Sequence, residues 1–138
     1  KVYGASSMGA LRASELDVLG MTGIGYVYNQ YASGAVDSDD DVAVMLDSDT
    51  LEALSEPLIN MKYVFTNAEE ENIITEDEKD ELLAIAKETF YPKRNYAQTL
   101  SASNLDASKK DKLIDFIRQS PDIKKEDAKK LLRHIKMR

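Results

Sequence analysis

The chain has 138 residues, 43% hydrophobic and 31% charged, which is enough for a buried core and points to a single domain. It contains no cysteine, which excludes disulfides, thiol nucleophiles, thiolate metal ligands and a persulfide carried on the chain, and fits a reducing cytoplasm. No apolar stretch reaches the length of a membrane span, and nothing resembles a signal peptide.

The first residue is Lys1, and it opens inside an apparent strand, so the sequence reads as a fragment of a larger fold. Val2-Tyr3 looks like the end of that strand, and Gly4 to Ser7 form a turn of small residues. A helix then runs from about Ser7 to Leu19, with Met8, Ala10, Leu11 and Leu16 on one side and Gly20 as its stop. Ile24, Val27, Tyr28 and Tyr31 have helical spacing and predict a second helix that ends by Gly34. Val36 to Asp41 is an acidic loop, and Val42 to Leu46 reads as a short strand. Pro57 suits the first turn of a helix to roughly Thr66, with Leu58, Met61, Val64 and Phe65 inward. Thr75 and Glu78 form a capping box that starts a helix to about Phe90, and Pro92 opens another holding Tyr96 and Leu100.

The C-terminal part reads as two short helices. Ser108 caps the first, whose stripe is Leu113, Ile114, Phe116 and Ile117; Ser120-Pro121-Asp122 breaks it. The second runs from about Lys125 to Lys136 and is expected to bury Ala128, Leu131, Leu132 and Ile135. Residues 105–138 hold eleven Lys or Arg against six Asp or Glu, a balance of +5, while residues 1–104 sum to −12. The division is therefore a core, 1–104, and a basic helical tail, 105–138, whose charge could steer a protein partner. The fold class is α/β, mostly helical, with a small sheet and a strand–Ser-Ser turn–helix at the N-terminus.

Chemistry concentrates at that turn. Where a strand hands over to a helix, amides point outward and a nucleophile can be held exposed. A nucleophile elbow needs small residues two before and two after the nucleophile. Ala5 and Gly9 satisfy this for Ser7, whereas Gly4 and Met8 fit Ser6 less well. Ser7 is thus the better nucleophile candidate, and Ser6 suits a helix cap or an anion-holding turn. The amides of Met8 and Gly9 are candidate oxyanion donors. Arg12, one turn on, could hold an anion or carboxylate, or simply pair with Glu15 three residues later. The one histidine, His134, would reach the turn only if the tail folded back over it, and reads as a surface or boundary residue. A lysine base would have to be Lys62, Lys1 or lie outside the chain, because residues 2–61 hold none.

Other signals are weaker. Asp37 to Asp41 open like a calcium loop, but Val42 replaces the turn glycine and Ser48 the bidentate glutamate, so no metal site is expected. Gly20 to Gly25 give the wrong glycine order for a dinucleotide fingerprint, and no cofactor is expected. Tyr26, Tyr28 and Tyr31 have no basic residue among them, which argues against nucleic acid.

Gly4-Ala-Ser-Ser-Met-Gly-Ala-Leu-Arg12, Glu15-Leu16, Gly20-Met21 and Gly23-Ile-Gly25 together resemble TfuA-like proteins. Asp39-Asp40-Asp41-Val42-Ala43-Val44 and Leu54-Ser-Glu-Pro-Leu58 extend the resemblance over about residues 1–100. It implies a partner of YcaO enzymes in peptide backbone thioamidation, a post-translational step of ribosomal peptide biosynthesis. The TfuA-like partner would release sulfide from a thiocarboxylated, ubiquitin-like ThiS carrier and support peptide binding by YcaO. The resemblance also implies a hydrolase-like Ser-Lys pair. Its serine falls on Ser6 or Ser7, and its lysine belongs to a helix before this strand. A serine attacking the thiocarboxylate would give an acyl-enzyme and hydrosulfide, with first-turn amides holding the oxyanion. The carrier tail would need a groove near Gly4–Met8, with Asp39, Asp40 and Asp41 beside it or against a partner. The rival readings are a non-catalytic adaptor for YcaO and its peptide, and an anion- or nucleotide-binding α/β domain.

Overall fold

Two parallel strands carry the N-terminal part of the chain: β1 (Tyr3–Ala5) and β2 (Thr22–Ile24), in register Tyr3 with Thr22, Gly4 with Gly23 and Ala5 with Ile24. Parallel neighbours need a crossover, and α1 (Met8–Leu16) supplies it. The computed structural model describes residues 1–36, 38–50 and 53–137; side chains at Asp39 and Asp40, and the whole of Asp37, lie outside the described residues. The chain is mostly helical, with this small sheet near its N-terminus and helices at its C-terminal end.

The chain divides into two compact units, Lys1–Val42 with Pro121–Arg138, and Ala43–Ser120. In the first, α1 packs on β1 and on α2 (Tyr26–Ala32) through Ala10 and Ala13, both fully buried. Small side chains let the helix sit close to the strand. A 3₁₀ turn, Asp17–Leu19, ends at Gly20, whose φ of 98° closes the helix in a left-handed cap. Ile24 was expected in the second helix and lies instead in β2. Gly25, with φ 97°, separates strand from helix, so Ile24 and Val27 belong to different elements despite their helical spacing. α7 (Ile123–Lys136), capped by Asp122, packs on β1, β2 and α2. It buries Ile123 and Asp127, while Leu132 and Ile135, expected inside, are 66% and 46% exposed.

In the second unit, Pro57 precedes α3 (Leu58–Glu70), which buries Leu58, Met61, Val64 and Phe65 as its periodicity requires. α4 (Glu76–Glu88) begins at the Thr75–Glu78 capping box, with both reciprocal hydrogen bonds formed. α5 (Tyr96–Ala102) is capped by Asn95, and a 3₁₀ turn, Tyr91–Lys93, contains Pro92. α6 (Ala107–Gln119) is capped by Asp106, not by the expected Ser108, and buries Leu113 against the core of Met61, Phe65, Leu82 and Ala86. Arg94 is fully buried: its guanidinium donates to the carbonyls of Ala86 and Thr89 at the end of α4.

The strand expected over Val42–Leu46 is absent among the described residues. Val42 ends a 3₁₀ turn, Asp39–Val42, and of the rest only Leu46 pairs, antiparallel, with Ala53. Side chains take over the backbone's needs here: Ser55 Oγ accepts the Met45 amide at 2.8 Å, and Asp47 accepts those of Asp49 and Thr50. A loop with its own polar partners does not need a sheet.

Candidate functional site

Ser6 follows β1 with φ at 75°, a left-handed conformation that an L side chain rarely adopts. Ser7 follows at φ −150° and precedes α1 without capping it through its side chain. Both serines are partly exposed. The crowding lies at Gly4: a Cβ there would collide with the carbonyl oxygen of Gly9 and approach Met21. At Gly9 a Cβ would meet only the Gly4 Cα, at 3.7 Å, an ordinary contact. The cramped position is therefore two residues before Ser6, and the left-handed residue is Ser6 itself. The spacing rule favoured Ser7 because it treated Ala5 and Gly9 as the tight positions.

The amides of Met8 and Gly9 open α1 and have no carbonyl four residues back inside the helix. They lie at its positive end, beside the two hydroxyls. Arg12 and Glu15 form an exposed pair at 2.9 Å, the simpler of the two roles open to Arg12. Asp41 is buried in the 3₁₀ turn Asp39–Val42, which packs against α1. Ser6, Ser7, Met8 and Gly9 thus share one turn, and Arg12 and Glu15 extend it along α1.

The last helix, α7, folds back over this turn, but His134 is not what it delivers. The His134 ring meets Tyr3 edge-on at 5.5 Å. What reaches the serine is the first turn of α7: Ser6 Oγ donates to the Lys124 carbonyl at 2.5 Å. Lys124 Nζ in turn donates to the carbonyl of Val42 at 3.0 Å, tying down the end of the acidic run. One turn later, the fully buried Asp127 accepts the amides of Tyr26 and Val27, at 2.9 and 2.7 Å. Burial pushes the Asp127 carboxyl above the usual aspartate range, against the pull of those amides and of Lys130. Gly25 is required beside it, since a Cβ there would strike the carboxylate. Sequence reasoning missed Lys124 and Asp127. One sign was available: Ile123, Asp127 and Leu131 form an i, i+4, i+8 row, and an acid in the middle of a buried row needs a partner.

Of the lysines considered as a base, Lys1 is at the far end of β1 from Ser6, roughly 15 Å of extended chain away. It lines a depression with Val2, Leu16, Leu19, Gly20 and Met21, which includes neither serine. Lys62 is on α3, in the Ala43–Ser120 unit. No helix of the described residues is long and apolar enough to cross a membrane.

The strand-to-helix turn, the glycines at 4, 20, 23 and 25, and the Ser55 loop all fall within a stretch that is also recognised as a whole. The family model described as TfuA-like protein matches residues 1–95. No curated protein matches the chain. The match spans well over half of the 138 residues and takes in every element of the serine turn except α7. On that extent of agreement, the chain belongs to the TfuA-like family.

Proposed function

We propose that this protein releases sulfide from a thiocarboxylated, ubiquitin-like ThiS carrier, with Ser6 as nucleophile, and works beside a YcaO enzyme that thioamidates a peptide. Family membership supports a role in the thioamidation system generally. The observation that carries the hydrolase reading is the left-handed Ser6 on a turn that only Gly4 can complete. In this reading Ser6 Oγ attacks the thiocarboxylate carbon and the carbon–sulfur bond breaks. The serine proton leaves with the sulfur as hydrosulfide. Water then cleaves the acyl-serine ester and returns the carrier carboxylate. The amides of Met8 and Gly9 stabilise the oxyanion in both steps, an effect worth about 3 kcal/mol for one well-placed donor. Ser7, the next residue into the helix start, is the alternative nucleophile.

A second reading rests on one contact. The Ser6 hydroxyl already serves Lys124, as a structural serine does, which favours a non-catalytic adaptor that binds YcaO and its peptide. Sulfide release from thiocarboxylated carrier, measured with and without YcaO for wild type, Ser6→Ala and Ser7→Ala, decides between them. Loss confined to Ser6→Ala supports the serine hydrolase. Unchanged release in both variants removes it, and retention by immobilised YcaO then supports the adaptor.

A further inference from the structure

The bond from Ser6 to Lys124 has a mechanistic consequence. A serine hydroxyl has one proton to donate, and here it is committed to a main-chain carbonyl of α7. With that carbonyl 2.5 Å from Oγ, the first turn of α7 stands where a carrier's carbonyl would have to approach. We propose that α7 is a latch over the serine turn, and that Ser6 becomes reactive only when this helix lifts away. The inference rests on the reading of Ser6 as nucleophile.

The way α7 is held suits a removable element. Its grip includes directional contacts, each to a different part of the Lys1–Val42 segment. Lys124 binds Ser6 and Val42, Asp127 binds the start of α2, and His134 touches Tyr3. Ile123 is its one fully buried apolar side chain; Ala128 and Leu131 are half-buried, and Leu132 and Ile135 face outward. A helix seated by an apolar seam opens with the whole fold, whereas one seated by a few polar bonds opens locally. α7 also lies outside the stretch matched by the family model, which covers residues 1–95.

The test uses the full chain and a serine-directed sulfonyl fluoride, with modification at Ser6 read by peptide mass and Ser6→Ala as the blank. Two variants loosen the latch at independent points. Asp127→Ala removes the α2 anchor, and Lys124→Ala removes the bond to Val42 while leaving Asp127 in place. Hydrogen exchange of the α7 amides reports whether each variant frees the helix. Faster exchange in α7, with Ser6 labelling up by about tenfold in at least one folded variant, is the expected result, because reactivity scales with the open fraction. Labelling of Ser6 at the wild-type rate after α7 has been freed overturns the latch but leaves Ser6 a nucleophile. No labelling of Ser6 even with α7 freed overturns both. Unchanged exchange in both variants also overturns the latch, since its named anchors would then hold nothing.

Discussion

The carboxylate of Asp127 lies 2.7 Å from the amide of Val27, a residue one hundred positions earlier in the chain. Together with the bond to Tyr26 it caps α2 from another helix, doing for that helix what Gly25 has no side chain to do. Replacing it with alanine leaves one buried and one partly buried amide unsatisfied. We expect Asp127→Ala to destabilise the fold by about 2–3 kcal/mol and Asp127→Asn, which keeps one acceptor, by about 1 kcal/mol. Denaturant midpoints at constant slope measure both.

The same residue has a pH signature. Its carboxyl is raised in the folded state, so the native protein binds its proton more tightly than the unfolded chain does. Its contribution to stability is fully present below the ordinary aspartate value and is lost as pH rises through the raised one. The stability advantage of wild type over Asp127→Asn should therefore shrink as pH rises above the ordinary aspartate value of about 4. An advantage that grows as pH rises contradicts the assignment of burial as the dominant influence.

Glu78 behaves oppositely. Its carboxylate is held by Lys109, by the Thr75 amide and by position in the first turn of α4, and its pKa is lowered. Stability from this group is present above the ordinary glutamate value and is lost as pH falls through the depressed one. Thr75→Ala should cost about 1 kcal/mol at neutral pH, because it leaves the Glu78 amide uncapped. Glu78→Gln should cost a similar amount at neutral pH and almost nothing in acid, where wild type has lost its charge.

The elements that were legible in the sequence are those with local causes. The Thr75 box, Pro57 and the row Leu58, Met61, Val64, Phe65 all act within one or two helical turns, and α3 and α4 appear where those signals place them. The failures have distant causes. Ile24 looked helical until Gly25 turned the chain and β1 offered Gly23 a parallel partner. Gly23 must also lack a side chain because the Tyr28 ring lies against it. Val42 to Leu46 looked like a strand, but Ser55 and Asp47 bond the backbone of the loop that follows Val42. Of the site, the turn and its serines were visible from residue 4 to residue 9. Which glycine is crowded was not, because that depends on how α1 packs on β1. Nor was Lys124, whose role is played by its main-chain carbonyl and is therefore independent of its identity.

That choice of glycine can be tested directly. Gly4→Ala should cost about 3 kcal/mol or prevent folding, since its Cβ meets backbone that cannot yield. Gly9→Ala should be neutral or stabilise by about 0.5 kcal/mol, having room and better helix propensity. Gly20→Ala lies between: nothing surrounds it, so only the φ of 98° opposes the change, at about 1 kcal/mol. Equal losses at Gly4 and Gly9 in chemical denaturation would return the elbow to Ser7.

Ser6 itself offers a way to separate its structural part from its chemical one. Ser6→Ala keeps the strained φ and loses the bond to Lys124, so it should destabilise by about 1 kcal/mol. Ser6→Gly loses the same bond but relieves a left-handed backbone, worth about 1 kcal/mol in the other direction. The glycine variant should therefore unfold close to the wild-type midpoint while releasing no sulfide from thiocarboxylated carrier. If Ser6→Gly is as stable as wild type and also as active, the hydroxyl is dispensable to the chemistry, and its only work is to hold Lys124. A variant that keeps its stability and loses its activity cannot be explained by misfolding, and leaves the serine oxygen as the group that the reaction needs.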